Sequence, residues 1–227
     1  MSHSIAERIQ KIRQTLPDHV RLIAVTKYVD TQAIRAAYDA GIRDFGESRI
    51  QDALQKQEIL QDLNDISWHL IGHLQSNKAK KAIEHFNWIH SVDRLKLAQW
   101  LDKLAAEAGH TPQVCLQVKV RPDPNKYGWE IEELLSHLPE LDRCRSLQIV
   151  GLMTILPQGL DQQQTRESFQ RLSELAQTIR ERNYPHLTMK HLSMGMSADY
   201  PLAVEAGATM VRLGHVLFSD SVSANRQ

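Results

Sequence analysis

Arg21–Asp30 reads RLIAVTKYVD. The run Leu22–Val25 has the length and apolar composition of a strand buried on both faces, and Asp30 and Thr31 offer oxygens that can cap a helix. The connection between them, TKYVD, contains no glycine. An open, doubly wound sheet usually places a glycine-rich turn such as GxGxxG after its first strand. The glycine-free turn therefore favours the other architecture built from the same units, a closed barrel. It also places a cation, Lys27, at the end of a core strand.

Outward from this stretch, short apolar runs alternate with amphipathic segments of helical spacing, the pattern of βα units around a parallel sheet. The strands are expected at Val20–Thr26, Ile42–Glu47, Ile66–Gly72, Trp88–Val92, Val114–Val120, Leu147–Met153, Thr188–Ser193 and Thr209–Leu213. Helices are expected at Thr31–Ala40, Arg49–Leu60, Asn77–Glu84, Asp93–Ala108, Glu130–Leu138, Gln163–Arg182 and Asp199–Ala206, with Asp93 as a cap. Arg121–Gly128, with Pro122 and Pro124, is a loop. An additional N-terminal helix, Ile5–Leu16, precedes the first strand. Together these predict a (β/α)8 TIM barrel formed as a single domain over residues 1–227.

Lysine plus arginine equals aspartate plus glutamate at 27 each in 227 residues. That balance argues against a nucleic-acid-binding or membrane-surface protein. No run approaches the roughly 20 apolar residues of a membrane span, and the amphipathic N-terminus is unlike a secretory signal. Cys115 and Cys144 lack metal or disulfide spacing, which points to a soluble protein of the reducing cytosol.

In a barrel, chemistry sits at the C-terminal ends of the strands, and phosphate sites favour the loops after the seventh and eighth. Lys27 follows strand one, which closure brings beside strand eight. Strand seven runs into Ser193-Met194-Gly195-Met196-Ser197, and strand eight into Arg212-Leu213-Gly214. Serine hydroxyls, a close backbone approach at Gly195 and a following helix suit a phosphate; a tight strand-to-helix turn capped by Ser197 reads the same. Arg212, in the apolar TMVRLG, by itself reads more readily as outward-facing between helices than as inward, where it would need partners. Combined with a lysine amine, a phosphate cradle and an inward arginine suggest pyridoxal 5′-phosphate (PLP), whose aldehyde condenses with an amine as a Schiff base.

AVTKYVD, DFGESRIQD, WHLIGHLQSNK, IHSVDR, GLMTI, HLSMGMSADYPLAVEAGAT and VRLGHVLF, in this order, resemble the YggS-like PLP homeostasis proteins, also called PLP-binding proteins. The match runs over most of the chain, and WHLIGHLQSNK and LSMGMS carry its specificity. The resemblance implies a fold like the alanine racemase barrel domain, with Lys27 as the Schiff-base lysine. It further implies that Ser193, Gly195 and the Gly214 turn hold the phosphate and that Arg212 lies near the pyridine nitrogen. Ser48 stands where the family usually has an asparagine near the cofactor, Asn125 where the family's SKxG loop has a serine, and Ser219 where its closing IFG has a glycine.

A guanidinium against the ring nitrogen disfavours a second positive charge there and so weakens carbanion stabilisation. The sequence after strand eight, SDSVSANRQ, leaves no room for a second domain with an opposing catalytic tyrosine. The expected function is intracellular PLP homeostasis by a cytoplasmic protein that holds PLP as a Schiff base without evident catalysis, acting as a monomer and meeting PLP-dependent apoenzymes transiently. An amino-acid racemase or lyase is the enzyme alternative, and an aldolase-like barrel using Lys27 a third. His69 and His73 lack the HExxH pattern and read as a strand and its outgoing loop. Lys78, Lys80 and Lys81 read as a solvated face, Glu130, Glu132 and Glu133 as a helix's first turn, and Trp68, Trp88, Trp100 and Trp129 as packing residues.

Overall fold

A computed structural model describes residues 4–219. Among them, eight parallel strands close into a barrel in sequential order: β1 (Arg21–Val25), β2 (Asp44–Glu47), β3 (Ser67–Leu70), β4 (Trp88–Val92), β5 (Gln113–Gln117), β6 (Gln148–Met153), β7 (Leu187–Ser193) and β8 (Met210–Leu213). Closure is made by β1 on β8, with Ile23 opposite Arg212 and Ala24 opposite Leu213. The helices are α1 (Ile5–Arg13), α2 (Thr31–Asp39), α3 (Ile50–Ile59), α4 (Ala79–His85), α5 (Leu95–Ala108), α6 (Ile131–Ser136), α7 (Leu138–Leu141), α8 (Gln162–Glu181), α9 (Tyr200–Glu205) and α10 (His215–Phe218). The barrel expected from the alternation is the barrel observed.

The departures have local causes. The helix expected over Glu130–Leu138 breaks at His137, and α7 restarts there because Pro139 has no N–H and suits a first turn. Asp93 does not cap α5, whose N-cap is Arg94; its carboxylate instead pairs with Arg94 and His73. Strand five ends at Gln117, and Val118 bridges to Trp129 across the proline loop. Trp100 is 40% exposed, with Lys103 over its ring, so it is not a packing residue. The tail after Ser219 lies outside the described residues.

Alternation along the strands divides the interior in two. Leu22, Ala24, Val114, Leu116, Val211 and Leu213 face outward, into a large apolar layer shared with the helices. Ile23, Trp88, Cys115, Met153 and Met210 form a separate, small cluster inside the barrel. Arg212 is on the inward face of β8, in step with Met210, and is buried with 4% exposure. The outward orientation that its own strand favours is therefore not the one adopted. The α1 helix packs on α2 and α10, and Arg13 donates to the carbonyls of Ala40 and Gly41 at the end of α2.

Gly151 shows how tightly the wall is drawn. A β-carbon there would lie 2.0 Å from the carbonyl oxygen of His191 on β7, so only glycine lets the two strands approach.

Candidate functional site

Backbone hydrogen bonds tie the ends of the last two strands and β1 into one surface. The N–H of Arg212 donates to the carbonyl of Gly195 at 3.0 Å, and that of Met194 to Met210. A β-carbon on Gly214 would lie 3.1 Å from the carbonyl oxygen of Val25, two residues before Lys27. On the other flank the N–H of Thr26 donates to the carbonyl of Gly46, two residues before Ser48. Lys27, Gly195, Arg212 and Gly214 thus gather around neighbouring strand ends, with Ser48 beside them.

Lys27 is exposed in the turn Thr26–Val29, and among the described residues it has no hydrogen-bond or ion-pair partner. Beneath it lies a polar cluster that the sequence reading missed. Glu47, fully buried, accepts from the Thr26 hydroxyl at 2.6 Å and from Lys56 Nζ at 2.7 Å, and Lys56 also donates to the Thr26 carbonyl at 2.7 Å. Glu47 and Lys56 bind the β1 and β2 ends to α3 from outside the barrel. Nothing local signalled this; the partners are nine and more residues apart.

Gly195 has φ +92°, and a β-carbon there would lie 2.7 Å from Cβ of Ala203 and 3.0 Å from Cα of Tyr200. The turn is glycine because its backbone is left-handed and pressed against α9. Its serines have different duties. Ser193 is fully buried, and its hydroxyl is engaged by His90 Nδ1 at 2.8 Å and Arg212 Nη1 at 2.7 Å. It lies under the turn, supporting Arg212. Ser197 is the hydroxyl within the turn, accepting from the N–H of Val216 at 3.4 Å and so joining this loop to the one after Gly214. Asp199, not Ser197, is the N-cap of α9, and α9 is six residues long. Ser48 is half-buried, with no hydroxyl partner among the described residues, and the loop after β3 presses on it: a β-carbon on Gly72 would lie 2.1 Å from its carbonyl oxygen.

Arg212 donates through Nη1 to the carbonyl of Ser193 at 2.7 Å and through Nη2 to that of Thr154 at 2.8 Å. Burial lowers its pKa to about 10, opposed by Asp199, so it remains a cation at neutral pH. Its Nε has no partner among the described residues. A guanidinium only donates, so a group completing this site presents an acceptor to it.

Below Arg212 the barrel contains two histidines. His69 is fully buried and stacks on Trp88, with centroids 5.5 Å apart; His90 is fully buried beside it. Burial lowers both values, for His90 well below the ordinary one, while Asp44 opposes the shift at His69. Unfolded, each binds a proton near pH 6.5. On acidification the unfolded chain takes up those protons first, so stability present above that pH is lost as pH falls through it. Thermal unfolding between about pH 7 and 5 should lose up to about 1.4 kcal/mol per pH unit for each buried imidazole. A melting temperature flat across that window would contradict neutral burial. His73 instead stands in the loop after β3, pairing with Asp93 at 3.1 Å and stacking on Tyr127.

Burial pushes the Cys115 thiol up to about 12 and the Cys144 thiol up to about 11, so neither is a nucleophile at neutral pH. Among the described residues no His, Cys, Asp or Glu cluster is arranged to hold a metal ion, and no helix is long and apolar enough to cross a membrane.

Residues 2–222 match the family model "Alanine racemase, N-terminal domain". The pyridoxal phosphate homeostasis protein of Synechocystis is 53% identical over 210 residues, covering 92% of this chain and 95% of the relative. PipY of Synechococcus elongatus, solved with PLP bound, is 50% identical with a TM-score of 0.91, covering 95% of this chain and all of that one. Alanine racemase of Clostridium difficile, at 16% identity and a TM-score of 0.79, shares the fold; the match covers 95% of this chain and 56% of that one.

Proposed function

We propose, from the premise that this chain belongs to the family of alanine racemase N-terminal domains and pyridoxal phosphate homeostasis proteins, that it binds PLP reversibly and serves its homeostasis without turning over a substrate. PLP would supply an aldehyde that an amine can hold covalently and release. Lys27 is the residue to hold it. The Gly195 and Gly214 turns, with the Ser197 hydroxyl between them, are the residues to receive the phosphate, with Ser48 at the rim. Ser193, placed beneath, holds Arg212 rather than the phosphate.

The observation that carries this reading is Arg212. The guanidinium is buried and charged, is fixed by two carbonyls and a hydroxyl, and keeps Nε for an acceptor, which the pyridine nitrogen of PLP is. That donor set fits the cofactor. It also supports binding over catalysis, because a fixed cation disfavours protonation of the ring nitrogen and with it the electron sink. Free buried cysteines support a cytosolic protein. We read the chain as one domain acting as a monomer, and PLP-dependent apoenzymes as the recipients.

The test is turnover. PLP-loaded protein incubated with a panel of amino acids should show no racemisation or elimination above free PLP. A steady-state rate well above free PLP that vanishes in Lys27→Ala would establish a racemase or lyase instead.

A further inference from the structure

Four hydrogen bonds run in line through the barrel. Arg212 Nη1 meets Ser193 Oγ at 2.7 Å, Ser193 Oγ meets His90 Nδ1 at 2.8 Å, His90 Nε2 meets His69 Nδ1 at 3.0 Å, and His69 Nε2 meets Asp44 Oδ1 at 2.9 Å. With both rings neutral, chemistry at the carboxylate end fixes the direction of the links. A guanidinium only donates, so Ser193 accepts from Arg212; its oxygen has a second lone pair, and the direction of its hydrogen toward His90 is set from the other end. A carboxylate only accepts, so His69 donates to Asp44 through Nε2 and receives His90 through its bare Nδ1. Both imidazoles are then neutral Nε2–H tautomers.

We propose that Ser193, His90 and His69 are positioning residues which, as a one-way hydrogen-bond chain anchored on Asp44, hold Arg212 in place and in charge against the ring nitrogen of the cofactor. The proposal rests on the PLP reading above. Its physical content is polarity. Every lone pair in the chain is directed toward Arg212 and every hydrogen away from it, so a buried cation with no ion pair among the described residues is matched through the lumen to a carboxylate at the opposite end. Asp44 opens β2 at the N-terminal end, where its side chain is 20% exposed and also meets Arg21 at 3.4 Å.

Other charged or titratable groups face the chain: Arg21 from β1, Cys115 from β5, His191 from β7 and Asp199 from the turn before α9. Arg21 and His191 press in the same sense as Arg212, against a charge on His90. Protonating His90 would direct a donor at the second lone pair of Ser193, turn the hydroxyl hydrogen out of the chain and set a second cation near Arg212. Protonating His69 would direct a donor at His90 Nε2 and reverse the tautomer above. The one-way direction therefore holds only while both rings are neutral, and burial lowers both values.

Two measurements test this. In the full-length protein without PLP, nitrogen-15 NMR of the imidazoles should report His69 and His90 as neutral Nε2–H tautomers from about pH 6.5 to 9; an Nδ1–H tautomer or a charged ring at neutral pH overturns the chain. In the PLP-loaded protein, the visible band should be flat over that range in wild type and should titrate in Ser193→Ala and His90→Leu, with PLP released about tenfold faster. His90→Gln, which keeps an acceptor for Ser193 and a donor for His69, should track wild type. Folded Ser193→Ala and His90→Leu proteins whose pH profiles superimpose on wild type would overturn the positioning role. Wild type that fails to take up PLP would remove the functional reading, and the tautomers would still decide the chain.

Discussion

Lys27→Ala is expected to abolish covalent retention of PLP and leave the fold intact. Lys27 is exposed and has no partner among the described residues, so truncation should change stability by no more than about 0.5 kcal/mol. The contacts proposed at the Gly195 and Gly214 turns and at Arg212 would still bind PLP as a non-covalent ligand. Loss of the covalent bond should weaken binding by about 100-fold or more, equivalent to roughly 3 kcal/mol. Borohydride reduction followed by intact mass is decisive: wild type gains one reduced PLP and the variant gains none. Arginine at 27 should behave like alanine, because a guanidinium stays charged and does not condense with an aldehyde. Competing amines are placed less favourably; Lys56 is committed to Glu47 and Thr26, and Lys119 to Glu130. Labelling of either in place of Lys27 would sink the assignment.

Lys56→Met should have the largest effect on stability. It leaves the Glu47 carboxylate fully buried with only the Thr26 hydroxyl on Oε1, while Oε2 already has no partner. Removing one member of a buried ion pair typically costs about 3–5 kcal/mol. For a chain of this length that corresponds to a fall in melting temperature of about 10 °C. Glu47→Met with Lys56→Met removes both charges and should regain most of the loss, since the cost lies in the orphaned carboxylate rather than in the missing attraction. A single variant within about 0.5 kcal/mol of wild type would show that water reaches Glu47.

The barrel was legible because each βα unit states its own period. A buried apolar run followed by a capped amphipathic segment needs no distant partner to be recognised, and the glycine-free TKYVD turn removed the main competitor. Boundaries failed where a neighbour intervened: Asp93 looked like a cap until His73 and Arg94 claimed it, and Pro139 divided one expected helix into two. Within the candidate site, the place of Lys27 at a strand end and the turn at Gly195 were legible. Arg212 was not legible from its strand, because inward and outward faces are set by register around the whole barrel. His69 was read correctly as a strand residue, but its partner was hidden for the same reason. WHLIGH invites a question about His73, four residues away, but the partner that matters is His90 on the next strand. Two polar residues at inward positions of adjacent strands were the available signal. Ser193 follows the same alternation, which puts it under the Gly195 turn, bonded to His90 and Arg212.

The division of the interior into two packing units has a bearing on how such a chain changes over time. The jacket between strands and helices holds nearly all of the apolar mass, whereas the lumen holds a few apolar side chains and a column of polar ones. Substitutions among lumen positions leave the jacket's contacts untouched, so affinity for a new ligand can drift without the scaffold being rebuilt.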